Sequence, residues 1–441
     1  MKRYFLATLF LCAGVVSGCK EKSATAPDLG FIKVNPQTVE ILIPFEDFVD
    51  DVQVFGGYGS AADLGHGVVS LDYNGLTTRS LVHVADYPTS VEVPGADGVV
   101  RADTDLSFVG GRVVFVFDTL VGSVLFPVDV ELFDVTEEWH VPTVTWEMAV
   151  DTAGDQRAWS QPGGGPSTLL GAATFDAFSA QRRDDEEGLL DTVSIAIDSV
   201  AVARLGDPSS AMTGFLLAAA EPGLLLNVVG MKLVLTTVPS TRPDTIVEVQ
   251  VPSEDLIFIF PSPPAPGGWL RVGGTPSWRS VLTMSIPQNV PGTPEICGAV
   301  GCQVDLTEAT LNLAELILTT RETEFGFQPQ DTMGIDIRQV LNPELLPKSP
   351  LGGQLVPSLE VLPPVYFSSQ AGTTVLFGVT ELVADVLLAA DQTGTIPVTA
   401  ISLFSVIEPQ IVGFASFEGG GGTGAPALRL LYTFANPVGL P

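Results

Sequence analysis

A chain of 441 residues with 51 acidic and 20 basic side chains carries a formal charge of −31. Such a field repels nucleic acid and anionic lipid headgroups, and its natural uses are solubility or the holding of cations. Apolar residues make up 46% and charged ones only 16%, which excludes a disordered acidic tail, and the length suits two domains with their own cores.

At the amino end, Lys2 and Arg3 precede an apolar run from Tyr4 to Val16, and Val16-Ser17-Gly18-Cys19 closes the segment. A basic start, an apolar centre and a small-residue end are the parts of a secretory signal. The segment resembles bacterial lipoprotein signals. That resemblance implies cleavage before Cys19, lipid on the Cys19 thiol and on the new amino terminus, and attachment to a membrane through that residue. Lys20 stands where an Asp in such signals favours retention in the inner membrane, so the resemblance points to the outer membrane. Residues 1–18 therefore read as signal and 19–38 as a lipidated tether whose Ser, Thr, Ala and Pro suit a linker. Beyond the signal no apolar run reaches spanning length, because Met212 to Val229 is broken by Glu221-Pro222-Gly223.

The body of the chain has a β texture, with short Val/Ile/Leu/Phe/Thr runs between Gly, Pro and Asp clusters. In chain order, clear strands are Val39-Glu-Ile-Leu-Ile43, Arg112 to Phe117, Val128 to Leu132, Thr192 to Ile197 and Met231 to Val238. Helical periodicity is scarce: a turn at Asp134 to Trp139 and a helix over Thr380 to Ala390 are the candidates.

The chain also repeats itself. Val39-Glu-Ile-Leu-Ile-Pro-Phe-Glu-Asp-Phe48 recurs as Val247-Glu-Val-Gln-Val-Pro-Ser-Glu-Asp-Leu256, with half of the positions identical. Downstream, Thr78-Arg-Ser-Leu-Val-His-Val84 aligns with Trp278-Arg-Ser-Val-Leu-Thr-Met284. The expectation is an all-β protein of two tandem antiparallel β-sandwich, jelly-roll-like domains, a duplication spanning 39–240 and 241–441. A transmembrane β-barrel is the rival; scattered aromatics and frequent Pro count against its lipid-facing strands.

Val128-Asp-Val-Glu-Leu-Phe-Asp-Val-Thr-Glu-Glu-Trp139, Val144-Thr-Trp146 and the segments Val379 to Leu387, Ile411 to Glu418 and Ala425 to Phe434 resemble the DNRLRE-type, disaggregatase-related surface domain. The resemblance spans most of both halves but lacks the Trp pair in the second. It implies a carbohydrate-binding-module-like sandwich on a cell-surface protein, without catalysis.

Of the four cysteines, Cys12 leaves with the signal and Cys19 takes lipid, so Cys297 and Cys302 remain, spaced for a local disulfide. Half of a metal site is the competing reading, but no His or further Cys stands nearby. His66, His83 and His140 lie in separate segments, and no Gly-x-Ser-x-Gly elbow is present. Gly163-Gly-Gly165 and Gly419 to Gly422 lack a following Lys-Ser/Thr pair and read as loops.

Carboxylates cluster at Asp184 to Glu187, at Asp97, Asp103 and Asp105, and in the recurring pairs Glu46-Asp47 and Glu254-Asp255, the candidate Ca²⁺ ligands. A solvated acidic turn competes at each. Trp139, Trp146 and Trp159 could form a glycan platform by stacking; Trp139 and Trp146 read as core and Trp159 as the exposed one. The leading expectation is a non-catalytic, lipid-anchored envelope protein with a binding or structural role, polysaccharide or another envelope protein being its candidate partners. The alternatives are a glycan-acting hydrolase or lyase using loop acids, and an accessory subunit of an envelope assembly.

Overall fold

The structure is a computed structural model that describes residues 34–437 apart from 57–64, 96, 123–126, 176–190, 208, 265–266, 293–296, 298–301, 309, 356–357, 396 and 407–411. Cys19 and the tether as far as residue 33 lie outside the described residues, whereas residues 34–38, expected to be tether, already form strand. The protein is all-β, two antiparallel sandwiches built from strands β1 (Val34–Pro44), β2 (Val49–Phe55), β3 (Gly67–Tyr73), β4 (Leu76–Val84), β5 (Leu106–Gly122), β6 (Val128–Val135), β7 (Leu169–Phe175), β8 (Asp191–Ile197), β9 (Gly214–Ala219), β10 (Leu224–Pro239) and β11 (Val247–Ile259). The series continues with β12 (Trp269–Val272), β13 (Arg279–Met284), β14 (Thr310–Arg321), β15 (Met333–Gln339), β16 (Glu360–Leu362), β17 (Thr374–Gly378), β18 (Thr399–Ser405), β19 (Ala415–Glu418) and β20 (Ala427–Pro437). Helices are α1 (Phe45–Phe48), α2 (Ser199–Leu205) and α3 (Thr380–Thr393); among the described residues none is long and apolar enough to cross a membrane.

In the first sandwich one sheet runs β7-β6-β9-β4-β11 and the other β11-β10-β5-β8, with β3 beside β10; the long strand β11 joins them. Alternation fills the space between. Val128, Val130 and Leu132 of β6 face Val113, Phe115 and Phe117 of β5, all buried. In the second sandwich β16-β15-β18-β13-β2 packs on β1-β20-β14-β19-β12, with β17 on β14. Ile41, Leu316 and Leu430 from one sheet meet Leu282, Ile335 and Leu403 from the other, and α3 adds Leu382 and Val386.

The ladders redraw the domain boundary. β1 pairs with β20 at the carboxyl end and β2 pairs with β13, so residues 34–55 belong to the second sandwich. β11, expected to open the second domain, pairs with β10 and β4 and completes the first. The division at 240/241 is therefore replaced by a first sandwich over 67–259 and a second made of 34–55 with 269–437. The backbone ladder is indifferent to which matching strand fills a slot, and sequence similarity does not reveal the partner.

The exchange is reciprocal to the residue. Val39 faces Tyr432 and Pro44 faces Ala427, as Val247 faces Thr237 and Pro252 faces Lys232. Further on, Val49 faces Met284 and Phe55 faces Arg279, as Ser253 faces Val84 and Ile259 faces Arg79. α1 lies between Pro44 and Val49, whereas Ser253 follows Pro252 directly. Glu46-Asp47 therefore has no counterpart in β11. The register equivalent of Asp255, opposite His83, is Asp51, opposite Thr283.

A third apolar layer covers the outer face of the β4–β9–β11 sheet. Leu81, Leu216 and Ile257 pack there under Trp139 and Trp159, and Tyr73 and Phe260 meet Trp278, Phe327 and Phe414 of the second sandwich. An ion pair between Asp151 and Lys348 adds a polar link between the sandwiches.

Tyr432 is fully buried in the second core, its hydroxyl has no hydrogen-bond partner among the described residues, and burial pushes its ionisation up. An unpaired buried hydroxyl costs about 1–3 kcal/mol. Tyr432→Phe keeps the ring and removes that cost, so thermal melting is expected to show a midpoint unchanged or raised; a clear fall would reveal a partner.

Candidate functional site

The segment Phe260-Pro-Ser-Pro-Pro264 leaves β11 and crosses between the sandwiches, its three prolines unable to donate to any ladder. Two cavities meet at Ser262 and Pro263. One, of about 480 Å³, lies between Val52 to Gly56 at the end of β2, Trp269, and the backbone of Gly268, Gly419 and Gly420. The other, of about 470 Å³, is walled by Trp278, Phe325, Phe327 and Phe414 on one side and by Asn74 to Thr77 on the other.

Two hairpins fix the second cavity. Between β12 and β13 the backbone turns at Gly273 and Gly274, with φ of +81° and +75°. At Gly274 a Cβ would sit 3.0 Å from the carbonyl oxygens of Val412 and Gly413, so glycine is required. Gly273 and Trp278 exchange backbone hydrogen bonds of 2.7 and 3.0 Å, which brings the Trp278 ring beside Arg271. On the opposite wall the Tyr73 hydroxyl donates to the Gly326 carbonyl at 2.8 Å and its ring meets Phe327 edge-on, tying the β3–β4 hairpin to the Glu324–Phe327 turn.

Arg271 is the electrostatic centre. Its guanidinium pairs with Glu324 and lies 5.0 Å from the Trp278 ring centroid, 5.3 Å from that of Phe414 and 5.8 Å from that of Trp269. Burial lowers its proton affinity, opposed by Glu324. Arg321 stacks 3.8 Å from the Trp269 centroid and pairs with Glu418 at 3.3 Å, so two cations and two anions balance. Three buried polar atoms here have no hydrogen-bond partner among the described residues: Arg271 Nε, Trp278 Nε1 and Glu324 Oε2. Two donate and one accepts. Phe325 stands on the rim, 87% exposed.

Sequence reasoning read none of these residues as a binding site, although Trp278 falls in the repeat and Gly419 and Gly420 in a Gly-rich loop. The signals present were Trp269-Leu-Arg271, Trp278, and the proline run, but their convergence depends on segments far apart in the chain.

The expected site residues fall elsewhere. Trp159, expected to be exposed, is only 4% exposed and donates Nε1–H to the Thr145 carbonyl at 2.9 Å; the fold of 136–166 over the sheet covers it. Trp139 is 7% exposed and stacks on His83 at 3.9 Å, while Trp146 is half-buried under Arg79, 5.1 Å from its centroid. No shared platform results. Glu46 and Asp47 are exposed on α1; Glu254 is exposed in β11, and Asp255 holds His83 at 3.2 Å. The pairs lie on different elements, and among the described residues no three His, Cys, Asp or Glu side chains converge on a metal position. Cys297 and Cys302 are joined as a disulfide with Cα atoms 5.6 Å apart. His66 is buried 5.7 Å from the Phe258 centroid, and His140 bonds Thr143 at 2.9 Å. Asp184 to Glu187 lie outside the described residues.

Asp97 makes a two-pronged pair with Arg101. Asp103 accepts from the Thr241 hydroxyl and backbone N–H, from the Asp105 N–H and from Ser240, and these bonds, Thr241 first, hold its pKa at about 2. A pKa below the ordinary 3.8 stabilises the fold above that value, and the contribution is lost as pH falls toward 2. Asp103→Asn is thus expected to melt below the parent at pH 7, the gap closing between pH 4 and 2; a gap independent of pH would refute this.

No family model and no curated protein matches the chain. Among solved structures, the N-terminal CBM22-1–CBM22-2 tandem domain of Paenibacillus barcinonensis Xyn10C is 8% identical, covering 88% of this chain and 99% of that one, with a TM-score of 0.12. At that score the likeness carries no weight for fold or ligand. The strand ladders themselves define the class: an all-β protein of two sandwiches with a groove between them.

Proposed function

We propose that the protein is a non-catalytic binding protein of the cell envelope, held by lipid on Cys19, and that it takes glycan in the groove between its sandwiches. The observation that carries this reading is the exposed Phe325 and part-exposed Trp269 at two adjoining cavities, beside the part-exposed Arg271–Glu324 pair. Sugars offer apolar ring faces for aromatics and hydroxyls that both donate and accept, which suits exposed rings beside an arginine and a glutamate. The short run between Cys19 and β1 leads into the second sandwich, so the anchor would hold that sandwich and the groove close to the membrane.

The test is calorimetric titration of the chain from Lys20 onward with neutral oligosaccharides, beside Phe325→Ala. Because Phe325 is exposed, its loss leaves the core intact; a tenfold or greater fall in affinity is expected, about 1.4 kcal/mol. Unchanged affinity would remove the groove from the binding surface. Stable co-purification of an envelope protein, without glycan binding, would favour the assembly role.

A further inference from the structure

We infer that the ligand is an uncharged oligosaccharide long enough to occupy both cavities at once, lying across Ser262 and Pro263; this rests on the glycan reading above. The two cavities are nearly equal, about 480 and 470 Å³, and share that Ser-Pro ridge. Each has an aromatic with exposed surface: Trp269 and Phe55, both part-exposed, in one, and the exposed Phe325 in the other, where Trp278 is itself buried. Arg271 lines the second cavity and lies 5.8 Å from the centroid of Trp269, whose ring lines the first, and 5.0 Å from that of Trp278. A single sugar ring satisfies one aromatic wall only, while a chain gains stacking from both without new ordering cost in the protein.

Charge decides the class of chain. Arg271 and Arg321 are each matched by an acid, Glu324 and Glu418, so the groove offers no net cation to a uronate or sulfate. The whole molecule, at −31, repels a polyanion further. The walls mix material from both halves: β2 from the amino end, the segment after β11, and the β12–β13 hairpin. The first cavity therefore exists only while residues 34–55 are seated in the second sandwich.

The experiment titrates the chain from Lys20 onward with mono-, di-, tetra- and hexasaccharides of glucose and of mannose, and with oligogalacturonate. Affinity is expected to rise at least tenfold from the disaccharide to the hexasaccharide, with the oligouronate weaker at every length. Trp269→Ala is expected to abolish the gain in affinity from disaccharide to hexasaccharide. Length-independent binding, or preference for the uronate, overturns the inference while keeping the glycan reading. Absence of binding at all lengths overturns both.

Discussion

A chain cut by protease at a site introduced between Asp244 and Ile246 is expected to remain one particle in solution. That loop joins β10 to β11, and both flanking halves are interlocked. The amino half leaves β1 and β2 in the second sandwich, paired with β20 and β13. The carboxyl half leaves β11 in the first, paired with β10 and β4. Separation would strip strands from both sandwiches at once and expose ladder edges on each, with every freed backbone group returned to water. Size-exclusion chromatography after cleavage should show a single peak at the mass of the intact chain, resolved into two fragments only in denaturant. Two separate folded fragments would show that the halves do not exchange strands.

Removal of residues 34–55 is expected to have the next largest effect, confined at first to one sandwich. The segment brings Ile41, Ile43 and Phe48 into the second core, all buried. Full burial of such a side chain is worth about 1.5–3 kcal/mol, so losing three approaches the whole stability of a typical domain, about 5–15 kcal/mol. The first sandwich keeps every strand it uses, because its ladders run within 67–259. Hydrogen exchange on the chain from Gly67 onward should therefore find slow amides in β5, β8 and β10 and fast ones in β14, β18 and β20. Equal protection of both would mean that β1 and β2 are dispensable.

These outcomes bear on what was readable beforehand. The all-β sandwich class was legible because alternation such as Val39-Glu-Ile-Leu-Ile43 and Val128-Asp-Val-Glu-Leu132 puts apolar residues on one face with period two. The recurrence of the Val39 segment at Val247 was also legible as a pattern. Its carboxylates misled: the similarity aligned Glu254-Asp255 with Glu46-Asp47, whereas α1 displaces the register and makes Asp51 the equivalent of Asp255. Aromatic content was visible, but Trp159 and Trp278 look alike in a list of tryptophans. One is covered by a loop folded over the sheet; the other, buried as fully, borders a groove because a Gly-Gly turn sets it beside Arg271.

By itself, then, the amino-acid order determined the class of secondary structure, the faces of the strands and the acidic surface, since these follow from local periodicity and charge. The tertiary structure decided which neighbour each strand takes and where a ligand could sit. Val39–Ile43 and Val247–Val251 carry the same alternation and suit either slot, because the ladder is made by backbone groups that are identical in both. Only the packed whole, with Tyr73 bonded to Gly326 and Trp278 against Phe414, selects one arrangement and opens the groove between the sandwiches.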